Sequence, residues 1–224
     1  MELHTTRSIP YPVIQRFARY LLHVKGLRKR CVDYTFSHEI AESFGITSQT
    51  VRGDLSYLHF SGKPKKGYNT AELEKALLSV LGIKREKRAV IVGAGNIGRG
   101  MILHKEFLKF GFNICAIFDS NEQLVGKCVG SFKVKSMQSL SRVIKEKDVE
   151  IGIIAVPPEY TQSVADQMVE AGIKGILNFA ESHFTVPENI SVTNIHIVSS
   201  LLELSALMKT KGKNADNTGK QNQL

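Results

Sequence analysis

Three glycines, Gly93, Gly95 and Gly98, close a short apolar run, Ala89 to Val92, with the spacing Gly-x-Gly-x-x-Gly. After a strand and before a helix, that spacing holds a pyrophosphate. The first glycine permits the tight turn, the second lets backbone approach the ligand, and the third lets helix and strand pack closely. The helix N-terminus adds unpaired N–H groups and a positive dipole end. Asp119 follows 21 residues after Gly98 and closes the next apolar run, where a carboxylate accepts hydrogen bonds from ribose hydroxyls. No Lys or Arg occurs from Ser120 to Leu124, so a 2′-phosphate would meet a carboxylate without a counter-charge. NAD(H) is therefore expected over NADP(H). The expected cofactor residues are Gly93, Ala94, Gly95, Asn96, Ile97 and Gly98, with Asp119 at the ribose and Val156 and Pro157 at the cofactor's edge. Arg99, one residue on, either offsets phosphate charge or stays on the helix surface. A related fold binding another nucleotide, such as coenzyme A, would carry similar glycines.

A second group lies upstream. Ser48, Gln49 and Arg52 fall on one face of a short helix whose other face carries Val51 and Leu55. A helix that reads DNA needs such side chains on its early outward face. Gln pairs with adenine edges and Arg with guanine edges. Lys63, Lys65 and Lys66 sit in a Gly/Pro-bracketed turn, Ser61 to Gly67, where they would meet phosphates and fix position without reading sequence. The expected partner is double-stranded DNA.

The elements that must hold these groups follow from periodicity. Val13, Ile14, Phe17, Ala18, Leu21 and Leu22 predict an amphipathic helix that Gly26 ends. Ser37 predicts the cap of a second helix broken at Gly45, and Thr47 or Ser48 the cap of a third. Helix, glycine turn, helix and basic turn make a winged helix-turn-helix. Thr70 predicts the cap of a fourth helix that Gly82 stops. From Ala89, strands at 89–93, 113–118, 131–135, 150–156, 175–179 and 191–197 alternate with helices at 95–109, 136–147 and 159–172. That pattern predicts an α/β fold, a Rossmann-like parallel sheet with helices on both faces. The expected domains are 1–84 (winged helix), 85–198 (dinucleotide binding), 199–208 (a last helix) and 209–224, a polar tail expected to be disordered.

Charge is distributed to match. Residues 1–87 carry 15 Lys+Arg against 8 Asp+Glu, residues 88–205 carry 11 against 12, and residues 206–224 carry 4 against 1. The basic excess lies mainly outside the dinucleotide region, as a polyanion partner for the first domain requires. No apolar run approaches the roughly 18 residues of a membrane helix, and no secretory leader is visible, so a cytoplasmic protein without membrane contact is expected. Cys31, Cys115 and Cys128 lack metal-ligand spacing; reduced, buried or partly buried thiols and no metal site are expected.

Over about residues 9–208 the chain resembles the Rex family, redox-sensing transcriptional repressors of bacteria. The resemblance rests on Val51-Arg52-x-Asp54-Leu55-Ser56-Tyr57, Gly62-Lys63 through Gly67-Tyr68, Val92 through Arg99, Phe118-Asp119, Ala155-Val156-Pro157 and the long run Ala171 through Ala180. It implies a homodimer with a swapped C-terminal helix, here about Ser199–Met208, that reaches the partner subunit. It also implies operator binding that NADH weakens and NAD⁺ permits. The chain departs from the family at Gly53, where Lys is usual, and at Leu58-His59-Phe60 beside the wing. His104, His196 and Leu22 stand where the family tends to carry Tyr, Asp and Arg of a switching contact. A latch rebuilt on His104 and His196 would respond to pH, since histidine ordinarily titrates near neutrality; otherwise the two side chains pack or face water. Two other readings stand beside the repressor. One is an NAD-dependent oxidoreductase with a basic extension, whose acid or base would come from His104, His183 or Lys174, though none sits in a catalytic motif. The other is a coenzyme A or nucleotide-binding interaction module.

Overall fold

In the computed structural model, which describes residues 8–58, 60–104 and 106–219, the chain divides into two units at Arg85/Glu86. The first contains α1 (Tyr11–Lys29), β1 (Tyr34–Thr35), α2 (Ser37–Phe44), α3 (Ser48–Leu55), β2 (Tyr68–Asn69) and α4 (Thr70–Val80). Its core is Phe17, Tyr20 and Val24 of α1, Ile40 of α2, Val51 and Leu55 of α3, and Leu73 and Leu77 of α4. Fully burying side chains of this size contributes about 1.5–3 kcal/mol each, enough to bring four short helices together around one centre. β1 and β2 pair antiparallel. Between α3 and β2 the wing is a tight turn closed by the Lys63–Gly67 bridge, with Lys63 N–H donating to the Gly67 carbonyl at 2.8 Å.

Local details differ from the sequence reading. Gly26 does not end α1, which continues to Lys29; fully buried Val24 anchors the last turns against α4 and outweighs a glycine penalty of about 1 kcal/mol. The chain reverses one step later, at Cys31, with φ +57°. Ser37 and Thr70 are first helical residues rather than caps. Asn69 caps α4 by accepting from the Ala71 and Glu72 N–H groups, which frees the Thr70 hydroxyl to donate to the Val32 carbonyl. At α2 the Glu39 carboxylate reaches back to the Phe36 N–H and the Thr35 hydroxyl, and these hydrogen bonds hold its pKa below the usual carboxylate range.

The second unit is built on β3 (Lys87–Val92), β4 (Phe112–Asp119), β7 (Lys135–Ser136), β8 (Ile151–Ile154), β9 (Gly175–Asn178) and β10 (Ser191–Asn194). They form one parallel sheet in the order β10-β9-β8-β3-β4-β7, the Rossmann order with its switch point between β3 and β8. Side chains alternate across it. Val90, Val92, Ala116 and Phe118 pack under α6 (Leu140–Glu146) and α7 (Thr161–Ala171). Ala89, Ile91 and Ile117 pack with Ile102 of α5 (Asn96–Leu103) and Val129 on the opposite face. A hairpin of β5 (Cys128–Val129) and β6 (Phe132–Lys133) joins β4 to β7.

The helix expected over 95–109 is instead α5, ending at Leu103, followed by a 3-10 turn at Phe107–Phe110. Apolar spacing alone does not separate a continuous helix from a broken one; His104 leaves the helical region at ψ +94°. The strand expected over 191–197 stops at Asn194, because Ile197 starts α8 (Ile197–Gly219). That helix passes the expected end at Met208 and covers 209–219 of the expected disordered tail; no proline interrupts the stretch. Residues 220–224 of the tail lie outside the described residues. Cys31 and Cys128 are exposed, against the expectation of buried or partly buried thiols, which half-buried Cys115 meets. No helix among the described residues is long and apolar enough to cross a membrane.

Candidate nucleic-acid interface and dinucleotide site

In the first unit the two helices of the helix-turn-helix are fixed by different means. Gly45, at φ +63°, ends α2. Thr47 caps α3 by accepting from the Thr50 N–H at 3.1 Å. α3 is then clamped to α1 by a buried carboxylate: Asp54 accepts from Arg16 Nε at 2.6 Å and Nη2 at 2.7 Å, and from the Tyr20 hydroxyl at 2.7 Å. The hydrogen bonds to Asp54 push the Arg16 pKa upward, and burial followed by the same carboxylate pushes Tyr20 upward. Sequence reading left Asp54 inside a motif without a role; its partners lie 38 and 34 residues away and give no local signal.

The clamp turns the opposite side of α3 outward. Gln49 and Arg52 are exposed, Ser48 is half-buried, and Arg52 Nη1 donates to the Ser37 hydroxyl at 3.3 Å. Lys63, Lys65 and Lys66 are exposed on the wing, with Lys65 at φ +62° at its tip. The wing is seated by Gly67, where a Cβ would stand 2.4 Å from the Thr35 carbonyl oxygen. Leu22 is exposed on α1.

In the second unit a cleft of about 420 Å³ opens over the C-terminal ends of β3, β4 and β8. Of the expected residues, Gly93, Gly95, Asp119, Val156 and Pro157 line it. Each glycine has a separate physical role. Gly93 has φ +106°, and a Cβ on it would lie 2.2 Å from the Ala155 carbonyl oxygen. Gly98 carries α5 against the loop, where a Cβ would lie 1.9 Å from the Gly93 carbonyl oxygen. A Cβ on Gly95 would meet nothing within 4 Å, so the room there belongs to the cleft. Ala94 is buried behind the loop, and Asn96 and Ile97 are exposed on the first turn of α5; these three do not line the cleft.

Asp119 is held in place from two sides. Its Oδ2 accepts from the Ala94 N–H at 2.7 Å and its Oδ1 from the Asn121 N–H at 2.8 Å. A carboxylate offers about four lone-pair sites, so two bonds orient it and capacity remains for ribose hydroxyls. Arg99 donates from Nε to the Ala94 carbonyl at 2.8 Å and so braces the glycine loop. Sequence reading missed the residues that α7 and the loops bring to the cleft: Ser120, Asn121, Leu124, Met137, Tyr160, Ser163, Val164 and Gln167. For Ser120, Asn121 and Met137 the one sequence signal was position just beyond a parallel strand's carboxyl end. Glycine room, a fixed carboxylate and an apolar floor fit a dinucleotide.

His104 and His196 are not brought together. His104 ends α5 at the far end from the cleft, its ring centre 5.0 Å from that of Phe107 in an edge-to-face arrangement. His196 follows β10, and its carbonyl accepts from Ser200 in the first turn of α8. The strands carrying them are three positions apart in the sheet, roughly 14 Å, and α5 adds about 12 Å along the strands. Neither His104 nor His183 nor Lys174 lines the cleft. Among the described residues no group of three His, Cys, Asp or Glu side chains is arranged to hold a metal ion.

Residues 8–56 match the family described as Putative DNA-binding protein N-terminus, and residues 84–182 the family described as CoA binding domain. The redox-sensing transcriptional repressor Rex of Clostridium botulinum (strain Alaska E43 / Type E3) is 37% identical over 198 residues, 88% of this chain and 94% of that protein. The crystal structure of RSP in complex with β-NADH superposes with a TM-score of 0.83 at 32% identity, covering 93% of this chain and 98% of that one. RSP in complex with β-NAD⁺ and operator DNA superposes at 0.84 and 32%, covering 94% and 97%. With its winged helix and its Rossmann cleft in one polypeptide, the chain belongs to the Rex family of redox-sensing transcriptional repressors.

Proposed function

We propose that this chain is a transcriptional repressor whose hold on operator DNA follows the NADH/NAD⁺ ratio, and that it acts by binding rather than by turnover. The observation that carries the reading is the cleft: Gly95 leaves room for a pyrophosphate, and Asp119 is fixed by Ala94 and Asn121 with acceptor capacity left over. Gly93 through Gly98 cradle the pyrophosphate, Asp119 takes the ribose, and Val156 and Pro157 border the nicotinamide half. Ser48, Gln49 and Arg52 read base edges, while Lys63, Lys65 and Lys66 hold phosphates. The relative RSP is solved with β-NADH and with β-NAD⁺ and operator DNA. Against an enzyme stands the absence of His104, His183 and Lys174 from the cleft lining. The working form is a homodimer in the cytoplasm, where operator DNA is within reach. Its basis is α8, on which Ile197, Val198, Leu201, Leu202, Leu204, Leu207 and Met208 are all half or more exposed in one protomer; a surface this apolar marks a protein contact.

A second reading, coenzyme A binding, is favoured by the family match over residues 84–182. Calorimetry with NADH, NAD⁺ and coenzyme A decides between them. Anisotropy of a labelled duplex, selected by the protein from a random-sequence pool, is then read as NADH and NAD⁺ are titrated separately. NADH-dependent release with no response to coenzyme A is expected; equal duplex binding at every NADH/NAD⁺ ratio would refute redox sensing. Repeating the titration at about pH 6 and pH 8, either side of the histidine range, tests a latch on His104 and His196. Within one protomer the two are far apart, so such a latch joins two protomers, and superimposable curves would dismiss it.

A further inference from the structure

The outward row of α3 is Gln49, Arg52, Gly53 and Ser56, all exposed, while Val51, Asp54 and Leu55 are buried. Gly53 lies four residues after Gln49 and three before Ser56, in the middle of that row. A glycine inside a helix weakens it relative to alanine, and α3 is only eight residues long. Nothing inside the domain requires this one. It has no positive φ, and a Cβ built on it would meet nothing within 4 Å, in contrast to Gly67, Gly93 and Gly98, where a Cβ would strike backbone. Arg52 ties the helix to α2 through Ser37, and the Ser56 hydroxyl donates to the Gly53 carbonyl at 2.6 Å, which secures the last turn of α3. The result is a notch of bare backbone flanked by Gln49, Arg52 and Ser56, on the face the proposed function assigns to DNA.

We infer that Gly53 is a specificity-determining position of the recognition helix: the missing side chain lets a base edge seat against the α3 backbone in the major groove, at the depth at which Gln49 and Arg52 reach their own bases. The inference rests on the repressor reading above. Apolar contact with a thymine methyl is the chemistry such a notch suits, since a bare Cα offers no donor and a close van der Waals surface. A side chain at this position holds the helix off by the thickness of a methyl group and costs the contacts on either side.

The test uses the full-length protein and the duplex that the wild type selects from a random-sequence pool, with a scrambled duplex of equal length as control. Gly53→Ala should raise the Tm by about 2–4 °C, the shift expected when alanine replaces a helix-interior glycine in a chain of this size. It should also weaken binding to the selected duplex by about tenfold or more, the size of one lost base contact. Binding to the scrambled duplex should stay within about twofold. A repeat selection with the variant should change the preferred base at one step. Undiminished affinity for the selected duplex would overturn the inference, as would equal loss on both duplexes. If the wild type enriches no sequence, the repressor reading itself fails, and that outcome is distinct from either of these.

Discussion

Removing the clamp between α1 and α3 should uncouple DNA binding from cofactor binding, and its geometry sets the size of the effect. The Asp54 side chain is 5% exposed and that of Arg16 27%, and Tyr20 is fully buried. Arg16→Met leaves a buried carboxylate with Tyr20 as its remaining side-chain donor, and breaking a buried pair in this way costs about 3–5 kcal/mol. Asp54→Ala strands the Tyr20 hydroxyl, at about 1–3 kcal/mol. Arg16 adds at most about 1 kcal/mol there, because its exposed part recovers water. Tyr20→Phe, which keeps the fork of Arg16 on Asp54, should cost only about 1 kcal/mol. The double replacement Arg16→Met with Asp54→Ala removes both charges and should cost less than the two single replacements together, giving a coupling of about 2 kcal/mol or more. Urea unfolding followed by circular dichroism gives each value, and NADH titration reports the second unit separately. Operator binding should fall in the order Arg16→Met, Asp54→Ala, Tyr20→Phe with NADH affinity unchanged. An Arg16→Met cost below about 1 kcal/mol, or additive effects in the double variant, would refute the clamp.

At the cleft, Gly95→Val should leave stability within about 0.5 kcal/mol, since Gly95 has extended backbone and open space around it, yet lower NADH affinity more than tenfold by calorimetry. Gly98→Ala should instead destabilise the second unit by about 1–3 kcal/mol through the clash with the Gly93 carbonyl, seen as a lower urea midpoint. His23 lies against Phe44, its Nε2 without a hydrogen-bond partner among the described residues; burial, with Arg30 nearby, lowers its pKa and Glu39 opposes the shift. Its unfolded form therefore takes up the proton first, and stability should decline as pH falls below about 6.5. His23→Phe should flatten that decline and stabilise the domain at neutral pH, as read by Tm at stepped pH. Truncation after Asn194 should yield a monomer by sedimentation; a truncated dimer that still responds to NADH would exclude α8 as the coupling element.

What the sequence made legible was whatever local chemistry specifies. Gly45, Thr47 and Gly82 act where their types predicted, because each works within one turn. Alternation of strands and helices was enough for the parallel sheet. The misplaced caps and the overrun of α1 have a common cause in tertiary contact. Ser37 and Thr70 look like caps, but Thr70 bonds across to Val32 while Asn69 caps. Gly26 looks like a stop, but packing of Val24 carries α1 past it. The glycine spacing was readable, although Ala94, Asn96 and Ile97 do not line the cleft; the α7 side of the cleft was not legible, since Ser163 and Gln167 look like any surface residues of a helix.

The α8 surface also constrains how a redox signal can reach DNA in the proposed dimer. Seven side chains from Ile197 to Met208 are 50–67% exposed in one protomer. Covering the exposed half of each contributes about 5–10 kcal/mol per helix, twice over in a symmetric pair. Coupling between two ligands is typically about 1–3 kcal/mol. Even after several kcal/mol lost to association, a difference of that size selects between two packings of an apolar interface more readily than it dissolves the interface. Repression would then be relieved by a change in the spacing of two recognition helices, which must match half-sites a whole number of helical turns apart. Sedimentation should therefore show a dimer with NADH and with NAD⁺ alike. A monomer appearing on NADH addition would mean that release proceeds by dissociation and that α8 is a weaker contact than its apolar surface implies.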